Sequence, residues 1–397
     1  MFPPISGAGT QRPLKFAKYL PTCGIEPIVF CPKIASWKAY DHNLLNQPFF
    51  RAIRVYRCGI RRLARYYRLR YEQNRSRHPY YYLLALKYIW FLDFFSAWYF
   101  ECRDDLLETA HEENVDCIYT TSPPHSVHLF GRFLKKNLGV PWIMDLRDAM
   151  VDDPNRPSSR LGRFQLAIEQ FYERSFYRSA DAIVVVSGPM KESIVTRHAA
   201  MAIETKIHVI MNGFDEDDFS RIESNSGDRT NLTITYTGSF MGRQTPEFFL
   251  TALQGLVKEN QIKADDLLIR FVGHYNPVTL SLFRRYSNDL PIEITGFQPY
   301  EKCLKLQVDS ELLLLIVNIS GDEGGSQTMT GKFFEYVGAQ RPIFALVPEG
   351  PLKRAIVEGR FGYTVAPQDI AAIGEKFKSV YDQWRLRGRI DFDPDAD

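Results

Sequence analysis

The chain has 397 residues, too many for one hydrophobic core, so two domains are expected. Hydrophobic residues make up 45% and charged residues 24%, the balance of a soluble globular protein, and a net charge of +2 gives no general attraction to nucleic acid. Six cysteines, at positions 23, 31, 58, 102, 117 and 303, show no C-x-x-C pair and no His partners at zinc spacing, which excludes a disulfide framework and a zinc site and reads as reduced cytosolic thiols.

The chain opens MFPPISGAGTQR, with Gly7 and Gly9 close together. Glycines so spaced usually follow a buried strand and let backbone approach a ligand. No basic segment followed by an apolar one is present here, so no secretory signal is expected. EPIVF (26–30) reads as a short strand, after which residues 48–100 form a basic, aromatic insertion. Between Arg51 and Lys87 there are eleven Lys or Arg against Glu72 alone. Within it, YYYLLALKYIWFLDFFSAWYF (80–100) has the length of a membrane span, but Lys87 and Asp93 each cost roughly 2.5–3.5 kcal/mol on insertion scales. A core helix or an interfacial segment fits it better than a span.

Strands follow at VDCIYTT (115–121), PWIMDL (141–146), DAIVVVS (181–187) and KIHVIMNG (206–213), separated by helical HSVHLFGRFLKKNLG (125–139) and RFQLAIEQFYERSFYRSA (163–180). SNSGDRTN (224–231) is the linker. The alternation then restarts with strands LTITYTG (232–238), DLLIRFVG (266–273), IEITGF (292–297), ELLLLIV (311–317) and PIFALVP (342–348), and with helices EFFLTALQGLVKEN (247–260) and TGKFFEYVGAQ (330–340). Two Rossmann-like α/β domains with parallel sheets are therefore expected, over 1–223 and 232–397.

Ligands of open α/β sheets bind at the carboxyl ends of strands. Those ends carry Ser122 and His125; Asp145, Arg147 and Asp148; Gly238, Ser239, Gly242 and Arg243; and the loop NISGDEGGSQTMTGKFFEY (318–336). In that loop Gly324 and Gly325 precede Ser326, Thr328 and Thr330 as candidate helix N-caps, with Lys332 and Glu335 on the first turns. A helix N-terminus favours phosphate, Lys332 adds charge, and a carboxylate one turn on can accept both hydroxyls of a ribose. An ordinary helix start with a surface Lys–Glu pair fits the spacing equally well. Arg243 reads as a guanidinium on a pyrophosphate or as a loop arginine in solvent, and a lone His such as His125 is more often a polar helix-start residue. Asp215, Glu216 and Asp217 satisfy D-x-D but read as a solvated acidic turn.

Six segments in order resemble the retaining GT-B glycosyltransferases of family 4, in the branch of bacterial polysaccharide biosynthesis: FPPISGAGTQRPLKFAKYLPTCG, YTTSPPHSVHLFGRFLKKNLGVPWIMDLRDAM, ADAIVVVSGPM, VIMNGFDEDDF, YTGSFMGR and TGKFFEYVGAQRPIFAL. The resemblance implies two Rossmann domains facing across a cleft, closing to exclude water, with a nucleotide-diphosphate sugar held by the second and no cofactor or bound metal. It implies Glu335 as the ribose-binding glutamate and Arg243 with Lys332 on the diphosphate, these three forming the catalytic set. Gly7, Gly9, Gly238, Ser239, Gln327, Thr328, Thr330 and Gly331 then line the donor, and Ser122, His125, Asp145, Arg147 and Asp148 stand on the acceptor side.

The chain departs from the family in three places. Gln327 stands where the paired-glutamate pattern has its first acid, the C-terminal YDQWRLRGRIDFDPDAD lacks the long helix that crosses back to the first domain, and the strand before Gly7 is missing. A gap at the centre of the first sheet is expected from the last. The expected activity is sugar transfer to a glycan or lipid-linked acceptor, at the cytoplasmic face of a membrane whose anionic lipids the 51–100 segment meets. A nucleotide-sugar epimerase on the same fold and a non-catalytic nucleotide-binding subunit are the other readings.

Overall fold

Runs of branched and aromatic residues form the strands of both halves of the chain, as their burial demands. The structure is a computed structural model that describes residues 2–33, 40–59, 92–93, 95–151, 160–223, 231–240, 244–317 and 329–394. It divides into two units, Met1–Asn212 and Gly213–Asp397.

In the first unit, β3 (Ile118–Ser122), β4 (Trp142–Leu146), β5 (Ala182–Val185) and β6 (Ile207–Val209) form a parallel sheet in that order. Trp142, Met144, Leu146, Ile183 and Val185 are buried at its centre, each apolar side chain contributing about 1.5–3 kcal/mol. Helices α1 (Ala8–Tyr19), α2 (Ser96–Glu112), α3 (Val127–Leu138), α4 (Arg160–Ser179) and α5 (Gly188–Arg197) accompany it. The last of these starts under Ser187, whose hydroxyl accepts the Met190 N–H. Helix α3 ends at Gly139, whose φ of 73° is a left-handed cap that glycine adopts without penalty.

A second, two-stranded parallel sheet joins β1 (Ile28–Pro32) to β2 (Arg54–Cys58), with Ile28 opposite Arg54. The strands of the first unit thus form two sheets among the described residues. The two sheets share one core. Phe30 of β1 stacks on Trp98 of α2 at 6.0 Å between centroids, and Trp98 meets Phe130 of α3 edge-on at 4.6 Å. Phe2 and Ile5 are buried, and Ile5 makes one antiparallel bridge to Tyr40.

Strand β2 lies inside the segment read as an insertion. Its sequence RVYRC looks basic rather than strand-like, but among the described residues only one edge is paired, with Arg54 exposed and the other four residues half-buried. The far end of the 80–100 stretch is also ordinary structure: Ser96–Phe100 begin α2, burying Ala97 and Trp98. Residues 60–91 lie outside the described residues. No helix among the described residues is long and apolar enough to cross a membrane.

The second unit is one six-stranded parallel sheet in the order β12–β11–β10–β7–β8–β9. The strands are β7 (Leu232–Thr237), β8 (Leu267–Val272), β9 (Ile292–Gly296), β10 (Leu312–Ile316), β11 (Ile343–Leu346) and β12 (Gly362–Val365). The chain winds outward from β7 in one direction and from β10 in the other, so the topological switch point lies between these two fully buried strands. Its helices among the described residues are α6 (Glu216–Ser220), α7 (Glu247–Lys258), α8 (Pro277–Tyr286), α9 (Tyr300–Val308), α10 (Gly331–Gly338), α11 (Pro351–Glu358) and α12 (Ile370–Arg387). Helix α12 buries Ile373, Phe377, Val380 and Trp384 in the core of this same unit.

The division at Asn212/Gly213 comes before the 224–231 segment read as the linker, most of which lies outside the described residues. Packing explains the earlier division. Phe214 and Phe219 lie against Gly338, where an added Cβ would come within 2.5 Å of the Phe219 ring, and Lys305 Nζ donates to the Glu223 carbonyl at 2.9 Å. Residues 213–223 therefore belong to the second unit.

Candidate active site

At the switch point of the second unit, the carboxyl end of β7 turns through Gly238 and faces the first turn of α10. The turn needs glycine twice over. Its φ is 107°, and a Cβ there would sit 2.6 Å from Lys332 Cε. Gly273, after β8, lets the backbone approach in the same way, since a Cβ on it would lie 2.3 Å from the Gly238 carbonyl oxygen. Ser239 donates its hydroxyl to the His274 carbonyl at 2.7 Å.

Thr330 occupies the N-cap of α10 and its hydroxyl makes no cap hydrogen bond; the Phe333 N–H bonds to the Thr330 carbonyl at 3.1 Å, and the helix presents the positive end of its dipole at the switch point. Of the three residues read as possible caps, Ser326 and Thr328 lie outside the described residues, as do Gln327, Gly324 and Gly325. Gly331 is the first helical residue and keeps side-chain bulk away from that end.

Lys332 runs across the face of Tyr236, with Nζ 4.6 Å from the ring centroid and 2.7 Å from the hydroxyl it donates to. Burial lowers its pKa to about 8, partly offset by Glu335. One turn on, Glu335 accepts from Gln307 Nε2 at 3.4 Å through Oε2. Burial raises its pKa to about 7; Gln307 and Lys332 pull it down and Asp218 pushes it up. Both residues remain half-buried, so water still reaches them. Arg243 and Gly242 lie outside the described residues.

In the first unit, the carboxyl ends of β3 and β4 gather Gly7, Gly9, Ser122, His125, Asp145 and Arg147. Arg147 spends its guanidinium on carbonyls: Nη1 donates to Gly9 at 2.6 Å, Nη2 to Pro123 at 2.9 Å and Nε to Ser122 at 2.9 Å. It ties the glycine loop at the start of α1 to these strand ends. His125 Nδ1 lies 3.0 Å from the Ser122 hydroxyl, and burial beside Arg147 lowers the imidazole pKa to about 4. The ring is neutral near pH 7. Asp148 is exposed.

Asp145 does something other than meet a ligand. Its carboxylate is wholly buried and accepts from Arg12 Nε and Nη2, from the Tyr119 hydroxyl at 2.8 Å and from Thr121 Oγ1 at 2.7 Å. Those donors fill the lone pairs of a carboxylate. It has none left for an acceptor hydroxyl.

Two residues of these sites carried no sequence signal of their own. Arg12 holds Asp145 and also donates to the carbonyls of Ile210 and Met211, each at 3.0 Å, which anchors the segment after β6. Gln307 is fully buried behind Glu335. Each would have needed its distant partner to be known. Asp215 caps α6 by accepting the Asp217 N–H at 3.2 Å, a structural use of the acidic turn. No group of three or more His, Cys, Asp or Glu among the described residues is placed to hold a metal ion.

Several solved structures share this architecture. HepE of Anabaena, solved in complex with UDP and glucose, superposes with a TM-score of 0.65 at 14% identity, over 97% of this chain and 90% of that one. Sucrose-phosphate synthase of Thermosynechococcus elongatus gives 0.62 at 16% identity, over 94% and 84%. A UDP-forming α,α-trehalose-phosphate synthase of Burkholderia xenovorans gives 0.54 at 14% identity, over 82% and 80%. No curated protein sequence matches the chain. A family model described as a glycosyl transferase 4-like domain matches residues 7–213, just over half of the chain and nearly all of the first unit. With that match on the first unit and the GT-B architecture over both, the chain belongs to the glycosyl transferase 4-like family of glycosyltransferases.

Proposed function

We propose that this glycosyltransferase takes a sugar from a nucleoside-diphosphate donor held on the second unit and passes it to a glycan or lipid-linked acceptor, with retention and without a metal. The observation that carries the reading is the N-terminus of α10 at the switch point, with Lys332 and Glu335 on its first turns. The positive dipole end of α10 and the Lys332 ammonium supply fixed positive charge where negative charge grows on a departing diphosphate. Glu335 accepts the ribose hydroxyls. Arg243 is the second cation of the diphosphate, and Gln327, Thr328, Gly238 and Ser239 line the donor. Uridine is the first base to test, because HepE was solved with UDP.

On the acceptor side, His125 is the group that can face a ligand as a neutral hydrogen-bonding ring, while Arg147 and Asp145 shape the strand ends around it. The basic run from Arg51 to Lys87 supports attachment to an anionic membrane surface on the cytoplasmic side, each cation worth about 1 kcal/mol there. Incubation with UDP-, GDP- and dTDP-sugars, with and without anionic vesicles, tests the whole reading. Released nucleoside diphosphate with a glycosylated or hydrolysed product supports it, whereas nucleotide binding without turnover would make this a binding subunit.

A further inference from the structure

We propose that Gln307 is the positioning residue of the nucleotide site: its carboxamide fixes the Glu335 carboxylate in the orientation from which it accepts nucleoside hydroxyls. The inference rests on Glu335 being the nucleoside-binding acid of the function proposed above.

Gln307 sits on α9 with none of its surface exposed, although glutamine on a helix is normally solvated. Its Nε2 donates to Thr237 Oγ1 at 3.0 Å and to Glu335 Oε2 at 3.4 Å. One amide thus bridges the end of β7 to α10, the two elements that flank the switch point. The opposite rotation of the amide would set Oε1 against Oε2, two acceptors facing each other, so the carboxylate selects the observed one. Meanwhile Oε1 is buried with no hydrogen-bond partner among the described residues.

That orphan acceptor separates a positioning role from a packing role. Leucine or methionine would fill the same volume with no unsatisfied polar atom, and would serve stability better. The amide makes sense for what it does to Glu335. Lys332 lies one turn earlier on the same helix, and without a restraint the carboxylate can swing toward that ammonium and away from a ligand. Gln307 holds it back. The other titratable groups that bear on Glu335 are Asp218 of α6, Tyr300 of α9 and Tyr336 of α10. Lys332 and the Gln307 N–H favour the charged carboxylate, while burial and Asp218 oppose it.

The test compares wild type with Gln307→Leu and Gln307→Asn, the second keeping the amide but shortening its reach. Glu335 ionisation is followed by infrared spectroscopy on carboxyl-labelled glutamate, assigned by difference from Glu335→Gln, and binding of UDP, GDP and dTDP is followed by calorimetry. Both variants are expected to titrate Glu335 about one pH unit higher, with nucleotide binding about tenfold weaker at pH 6 and the gap closing toward pH 8.5. The thermal midpoint of Gln307→Leu should be unchanged or higher. Should the leucine substitution prevent folding, the asparagine variant carries the same comparison. Wild-type titration and wild-type affinity in either folded variant would overturn the proposal. If no nucleotide binds wild type, the proposed function fails, while the infrared comparison still decides whether Gln307 governs Glu335.

Discussion

Arg12 and Asp145 meet as a buried ion pair, Nη2 2.9 Å from Oδ1, although 133 positions separate them in the chain. The arginine side chain is 6% exposed and the carboxylate not at all. Arg12→Ala leaves a buried carboxylate with Tyr119 and Thr121 as its remaining partners and should cost about 3–5 kcal/mol. Arg12→Ala/Asp145→Asn should recover part of that loss, because a neutral amide no longer demands a cation. Calorimetric melting of the full chain checks both, and a single mutant as stable as wild type would contradict the pairing.

Lys332→Ala should lower kcat by roughly 100- to 1,000-fold, the loss typical of a group that meets developing charge. The fold should tolerate the change, because Tyr236 stays packed on Phe240 with ring centroids 4.3 Å apart. In wild type, activity should fall as pH rises through about 8, where the ammonium is lost. Since the folded value lies below the ordinary lysine value of 10.5, the native state should gain stability as pH rises from about 8 to 10.5. A pH–rate profile flat to about pH 9.5, well past that folded value, would remove Lys332 from the chemistry.

Glu335→Gln separates binding from stability. Losing charge-assisted hydrogen bonds to ribose should weaken nucleotide binding by roughly 10- to 100-fold. The folded carboxyl titrates at about 7 rather than 4.5, so the wild-type native state loses stability as pH rises through that window. The glutamine variant does not titrate. Its melting temperature should therefore exceed that of wild type by more at pH 8 than at pH 5, measured by scanning calorimetry.

His125 should remain neutral down to about pH 4, well below the usual imidazole range of 6.5. Carbon-detected imidazole titration should show no protonation of this ring between pH 5 and 8. Because its folded value is depressed, the native state loses stability as pH falls from 6.5 through about 4. His125→Asn should flatten that acid limb.

Most of the strands were legible because parallel strands read as unbroken apolar runs, and LTITYT, LLLLI and IFAL are such runs. Strand β2 was not, because Arg54 and Arg57 break up its apolar pattern and, among the described residues, only β1 pairs with it. Gly362–Val365 hid for a similar reason: GYTV is short, half-exposed and at the sheet edge. At the candidate site, the place of Lys332 and Glu335 on the first turns of a helix was legible, while the spacing fitted a surface Lys–Glu pair equally well and only the family resemblance gave them a role. The role of Asp145 was not, since only the fold brings Arg12, Tyr119 and Thr121 around it. Nor was Gln307, because YEKCLKLQV looks like a surface helix until Thr237 and Glu335 close over it.

The two sheets of the first unit leave β1 and β2 outside the backbone ladder of β3 to β6. Ladder bonds make neighbouring strands open together, whereas among the described residues the two pieces meet in packing contacts such as Phe30 on Trp98. Amides of Ile28–Pro32 and Arg54–Cys58 should therefore exchange with solvent as one cooperative group, at a lower opening free energy than the amides of β4 and β5. In terms of protection, the first unit should behave as two folding units inside a single core.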